Sequence, residues 1–154
     1  EKQYNVEIDR EPFFATFNKD EKEFTLVNFH AITKSKQPET EIKYFKYLPA
    51  EYPNLNLIFC GDFNCPQSHT VFNPLRKMGY LPALVDQRTS LRQQCLSDGC
   101  LASEYDNVWY DKSKVIKIDA GIIHFYLGFT DIKEAGKVSD HVPVVFEFEV
   151  KEDE

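Results

Sequence analysis

At 154 residues, 42% hydrophobic and 14% aromatic, the chain is long enough for one domain with a substantial core and too apolar to be disordered throughout. Its formal net charge of −7 argues against broad, nonspecific attraction to nucleic acid. It does not exclude a nuclease, whose carboxylates and bound cations set their own local field. No stretch approaches membrane-spanning length and no signal peptide is recognisable, although a start at Glu1 rather than Met reads as a processed or cut end.

Residues 1–11 are polar with scattered apolar positions. Phe13–Phe17 and Phe24–His30 carry strand signals around the polar turn Asn18–Lys22, which predicts an antiparallel hairpin with Asn28 and His30 on one face. Ile42, Phe45 and Leu48 recur at helical spacing, with Thr40 as a plausible N-cap, and this helix is expected to stop before Pro49. Leu57–Cys60 is a short apolar run that reads as a buried strand leading into Gly61, Asp62, Phe63 and Asn64. Alternation along that strand turns Phe63 to the core and points Asp62 and Asn64 the same way. The plainer alternative is an Asx turn at Asp62 with no chemistry.

Val71, Phe72, Leu75 and Met78 line a helical face, with Pro74 splitting it and Gly79 as the stop. Leu81–Val85 reads as a short strand or link, and Thr89-Ser90-Leu91 reads likewise. Residues 92–103 are rich in turn formers and expected to be exposed. Tyr105–Tyr110 has strand character, and residues 115–126 hold one or two strands. Thr130–Lys137 is expected to form a helical turn ending at Gly136. In the last strand Val142, Val144, Phe146, Phe148 and Val150 share one face, with Glu147 and Glu149 on the other. Mixed helices and largely antiparallel strands make this an α+β layered domain.

The four cysteines are not spaced as two CxxC pairs, which disfavours structural zinc. Cys60 reads as a buried thiol. Cys95 and Cys100 flank the turn Ser97-Asp98-Gly99 and can close a small loop, and Cys65 can pair with either instead. A disulfide would tilt the location toward secreted or periplasmic. His69 and His124 have no evident partner and read as structural.

The polar residues of interest stand at strand ends: His30, Asp62 with Asn64, Asp106, and Asp140 with His141. Strand ends along one sheet edge can converge on one cleft. An Asp beside a His can hold a divalent cation while the His handles a proton, and a second Asp can orient that His. Each has a simpler reading: a cap at Asp140, a satisfied structural His30, an Asp106–Lys pair, an ordinary surface Arg10.

Taken together, Arg10-Glu11-Pro12-Phe13, Asn28-Phe29-His30-Ala31, Gly61-Asp62-Phe63-Asn64, Tyr105-Asp106-Asn107-Val108 and Ser139-Asp140-His141-Val142-Pro143-Val144 fall in an order that resembles the endonuclease/exonuclease/phosphatase superfamily, deoxyribonuclease I-like members most closely. The resemblance implies a four-layer α/β sandwich of two packed, mostly antiparallel sheets flanked by helices. It implies hydrolysis of phosphate esters with Mg²⁺, or Mn²⁺ or Ca²⁺ in its stead, and DNA more than RNA as substrate. On that likeness His141 handles the proton of the attacking water and Asp106 supports it. Asp140 and Asp62 are metal-site carboxylates, and Asp62 and Asn64 position the water and phosphate. His30 assists the leaving group, and Arg10 and Asn64 contact phosphate. The family's earlier half, with its metal-binding Glu, has no counterpart here, since Glu1, Glu7 and Glu11 stand in the wrong context. Residues 1–150 therefore read as the C-terminal portion of one such domain, 151–154 as an acidic tail, and activity as a property of the intact domain. The alternatives are a phosphatase or phospholipid phosphodiesterase of the same fold, and a non-catalytic module that retains it. No protein partner is inferable.

Overall fold

The computed structural model describes Tyr4 and residues 6–152. Its centre is a five-stranded sheet in the order β1 (Phe13–Lys19), β2 (Lys22–His30), β3 (Leu57–Asp62), β7 (Asp106–Asp111), β4 (Tyr80–Pro82). The first two strands, β1 (Phe13–Lys19) and β2 (Lys22–His30), form the expected antiparallel hairpin, with Asn28 and His30 both exposed. β3 (Leu57–Asp62) runs parallel to β2, and the crossover between them carries two helical turns, α1 (Glu39–Ile42) and α2 (Leu48–Glu51). The single helix expected here is therefore broken. Pro38, not Thr40, holds the N-cap position, and Pro49 sits inside the first turn of α2, where a missing N–H costs nothing.

A 3₁₀ turn and α3 (Asn73–Lys77) follow, stopped at Gly79 with φ +96°, then β4 (Tyr80–Pro82). Residues 92–103 are more ordered than their turn-rich composition suggests. They belong to a hairpin of β5 (Leu91–Leu96) and β6 (Gly99–Leu101), closed by a Cys95–Cys100 disulfide, while Cys60 and Cys65 are free. β7 (Asp106–Asp111) returns to the main sheet. β8 (Val115–Ile122) pairs with β9 (Val144–Val150) as a separate two-stranded ribbon. α4 (Ile132–Val138) is capped by the Asp131 carboxylate and runs through Gly136 rather than ending there.

The core has two sides. One face of the main sheet buries an aromatic slab, Phe29, Phe45, Phe59, Phe63, Phe72 and Trp109, under the helical crossover. The other buries Ile58, Val108 and Tyr110 against Val144, Phe146 and Phe148 of the ribbon, which places the apolar face of β9 inward as its alternation predicts. Asp62 therefore lies on a sheet covered on both faces, at an end left open. His69 caps the turn after it by accepting from Val71 N–H, a structural role.

Candidate active site

Strand register builds the site. His30 is the neighbour of Asp62 across the parallel β2–β3 pair, and Asp62 is opposite Asp106 across the antiparallel β3–β7 pair. Three polar side chains from residues far apart in the chain thus form one row at the sheet's end. Gly61 permits the close approach: its φ is +136°, and a Cβ there would lie 1.9 Å from the Phe29 carbonyl oxygen.

Beyond Asp62 the chain turns. Asp62 Oδ1 accepts from Asn64 N–H at 2.8 Å, an Asx turn, and Asn64 takes φ +48°. Asn64 is buried and its amide donates to the Ala31 carbonyl at 3.1 Å, tying the turn to the end of β2. Asn64 consequently does not continue the strand beside Asp62. It reaches the site through the turn.

Asp106 Oδ2 is the acceptor of two short hydrogen bonds, from His141 Nδ1 and from the Thr89 hydroxyl, each at 2.6 Å. The same Thr89 oxygen accepts from the backbone N–H groups of Tyr105 and Asp106. Thr89 is fully buried. Its segment also clamps the chain around His141: Val142 N–H donates to Thr89 O, and Leu91 N–H to Asp140 O. Thr89 thus holds Asp106, and Asp106 holds His141. Sequence reading missed this residue. Its only trace was a Thr-Ser pair ahead of Leu91, unremarkable for a short strand.

With Nδ1–H committed to Asp106, the other nitrogen of His141 faces Asp62, Nε2 to Oδ2 being 3.8 Å. From the other strand His30 Nε2 stands 3.5 Å from that same oxygen. Arg10 donates to His30 Nδ1 at 2.7 Å and to the Ala31 carbonyl at 3.1 Å. An arginine has no acceptor, so His30 Nδ1 must be the acceptor and Nε2 carries the proton. The two histidines therefore present opposite proton-transfer capacities to one carboxylate.

Electrostatics follow from these contacts. The hydrogen bond to Asp106 raises the His141 pKa above its ordinary value against the opposing effect of burial, with Asp62 and Asp140 adding in the same direction. Burial raises the pKa of Asp62, and the Asp106 charge across the register adds to it, while the Asn64 N–H opposes. Two carboxylates held this close, one of them desolvated, favour a nearby cation.

Asp62, Asp106 and His141 offer ligand atoms all within 4.8 Å of one another. One oxygen of each carboxylate is occupied by the hydrogen bonds above, so each retains one. A hard divalent ion such as Mg²⁺ takes a few oxygen donors and keeps several waters, and this donor set fits it. The sequence-derived residues thus converge at one end of the sheet: Arg10, His30, Asp62, Asn64, Asp106 and His141. Asp140 is exposed and outside that cluster, at the margin of a neighbouring cleft between β5 and α4.

No protein-family model and no curated protein matches this sequence. Solved structures do match. An endonuclease/exonuclease/phosphatase family protein from Bacteroides thetaiotaomicron aligns with a TM-score of 0.61 at 17% identity, covering 85% of this chain and 51% of that one. The fold is that of the endonuclease/exonuclease/phosphatase superfamily. A mannosyl-6-phosphatase from B. thetaiotaomicron aligns at 0.57 and 19% identity over 84% of this chain and 52% of that one. D. rerio TDP2, in a complex with a single-strand DNA product, aligns at 0.59 and 13% identity over 88% and 60%. The chain spans just over half the length of these structures. The α+β reading holds, and the sheet, crossover and ribbon described above form that share of an endonuclease/exonuclease/phosphatase sandwich.

Proposed function

We propose that this chain carries the catalytic residues of a divalent-metal-dependent phosphodiester hydrolase, a deoxyribonuclease I-like endonuclease preferring DNA to RNA. One observation supports this above the rest: two histidines, in opposite proton-transfer states, face Asp62 Oδ2 from adjacent strands. A phosphodiester needs a base for the attacking water and an acid for the departing oxygen, and each role is typically worth about 10²–10⁴ in rate.

His141 Nε2 accepts a proton from water while Asp106 holds the ring and stabilises its charged form. The water oxygen forms a new bond to phosphorus. As the P–O ester bond breaks, His30 Nε2–H gives its proton to the leaving oxygen. Arg10, with two of its five donors used on His30 and Ala31, has others to offer a phosphoryl oxygen. Asn64 spends one amide N–H on the Ala31 carbonyl and keeps the second to orient the phosphate, and Asp62 orients the water. Asp62 and Asp106, each with one carboxylate oxygen left, would hold a divalent ion, and that ion would offset the negative charge on the phosphoryl oxygens.

The test is plasmid nicking by the full-length protein with Mg²⁺, with and without chelator, alongside His141→Ala. Chelator is expected to abolish nicking and His141→Ala to reduce it by at least about 10². Chelator-insensitive nicking, or full activity in the variant, refutes the proposal. Release of inorganic phosphate from monoesters without nicking would move the activity to the phosphatase branch of the fold.

A further inference from the structure

Glu41 stands on α1 in the helical crossover and is 2% exposed. The chemistry above makes no use of it. A buried carboxylate is costly unless its oxygens are hydrogen-bonded, and backbone meets both of these. Oε1 accepts from Asp9 N–H at 2.8 Å, and Oε2 accepts from Ile32 N–H at 2.9 Å. Hydrogen bonds to a carboxylate are the stronger class, and these two join segments that are remote in the chain.

The segments are those that carry Arg10 and His30. Asp9 immediately precedes Arg10, and Ile32 follows His30 by two residues. Arg10 lies in a bend ahead of β1, which begins at Phe13, so no sheet ladder fixes its backbone. Ile8, 2% exposed, anchors the bend on one side of Asp9, and the Glu41 carboxylate holds Asp9 itself. From that bend Arg10 donates to His30 Nδ1 at 2.7 Å and to the Ala31 carbonyl at 3.1 Å. The same carbonyl receives the Asn64 amide. Glu41 therefore sits behind the joint that decides which His30 nitrogen accepts and which carries the proton.

We propose that Glu41 is a positioning residue for the leaving-group acid. It clamps the Asp9–Arg10 and Ala31–Ile32 segments together, which keeps Arg10 on His30 Nδ1 and Nε2–H toward the site. The inference rests on the hydrolase reading for what His30 does, and on the hydrogen bonds of Glu41 for where Arg10 stands. Glu41→Gln keeps the size and one acceptor but turns an amide NH₂ toward the second backbone N–H, donor against donor, so one side of the clamp opens.

Nitrogen NMR of ring-labelled histidine in the full-length protein, without divalent metal, tests the clamp without turnover. In the parent, His30 Nδ1 is expected at the upfield position of a nitrogen that accepts a hydrogen bond, assigned by its loss in His30→Ala. Glu41→Gln, with folding verified by Tm, is expected to move it toward the unbonded position, and an unmoved resonance overturns the proposal. If Glu41→Gln does not fold, hydrogen exchange in the parent decides. The Asp9 amide belongs to an exposed residue outside any ladder, yet it is expected to exchange at least about tenfold more slowly than an open-chain amide. Exchange at the open-chain rate overturns the clamp. Turnover then tests its consequence. The rate on DNA is compared with that on a p-nitrophenyl phosphodiester, whose phenolate leaves without needing a proton. Glu41→Gln is expected to lower the ratio of the two at least about tenfold, part of the about 10²–10⁴ that an acid role carries. A general structural fault lowers both rates and leaves the ratio alone. A ratio unchanged in Glu41→Gln but lowered in His30→Ala overturns the positioning role. A ratio unchanged in His30→Ala refutes His30 as the acid, while a moved Nδ1 resonance in Glu41→Gln leaves the clamp standing.

Discussion

Gly61 is the most demanding position in the chain. Replacing it with alanine sets a methyl group 1.9 Å from the Phe29 carbonyl oxygen, 2.9 Å from its carbon and 3.1 Å from its nitrogen. All three are backbone atoms of the paired residue on β2, so no side chain can swing away. The residue must also hold φ +136°, a region that costs an L-residue about 1–3 kcal/mol. Relieving the overlap requires β2 and β3 to part by more than about 1 Å, which breaks ladder hydrogen bonds in a buried sheet. Leaving such groups unpaired costs about 1–3 kcal/mol each. With two such groups the sum is about 3–9 kcal/mol against a typical total of about 5–15. The chain's single tryptophan, Trp109, is fully buried in the same sheet and gives a clean fluorescence signal for urea unfolding. Gly136→Ala is the control. It has helical backbone and free space, and should stabilise by about 0.5–1 kcal/mol. A Gly61→Ala protein within about 1 kcal/mol of the parent would refute both the strain argument and the account of how His30 is brought beside Asp62.

Two further outcomes are expected. Because Asp106 raises the pKa of His141, the acidic limb of kcat/KM should lie above the ordinary histidine value of about 6.5, and Asp106→Asn should move it down while lowering the rate about 10²–10⁴. The same pair stabilises the fold fully below the unfolded pKa and loses that contribution as pH rises through the raised folded value, so Asp106→Asn should also flatten the pH dependence of urea stability from about pH 5.5, one unit below the unfolded value, upward through the raised one; an unmoved limb contradicts the pairing. Opening the Cys95–Cys100 bridge by Cys95→Ser with Cys100→Ser should cost about 2 kcal/mol by loop-closure entropy for so short a loop. No change in urea stability would mean that the β5–β6 hairpin unfolds independently of the sheet.

What was legible in the sequence was legible through short-range periodicity. Alternation in Val142–Val150 and in Phe24–His30 predicts which faces are buried, and the structure agrees because a strand has no other way to satisfy it. The helical region after residue 38 read less well. Ile42, Phe45 and Leu48 do share the buried side, but Pro49 begins a new turn instead of ending the old one, since a proline fits a first turn as well as it fits a stop. The β5–β6 hairpin was hidden for a different reason. Its order comes from a disulfide and from Arg88 and Arg92 on Asp98, and neither leaves a hydrophobic period. Gly136 was misread because its helix is set by the Asp131 cap and the burial of Ala135, which outweigh one weak helix former.

The site shows why a bland reading and a chemical one need not compete. At Asp62 an Asx turn was the alternative to a working carboxylate, and the structure contains the turn. But the turn uses Oδ1 alone, on Asn64 N–H. Fixing one oxygen fixes the carboxylate plane, and the other oxygen is then held toward His30 and His141. A freely rotating aspartate at a strand end would sample several rotamers and lose entropy on meeting substrate. The same division of labour recurs at Asn64, whose amide nitrogen anchors to Ala31, and at Asp106, where Thr89 shares the oxygen that holds His141. In each case the hydrogen bond that looks structural fixes the plane of the side chain, and with it the place of the polar groups that bond leaves over.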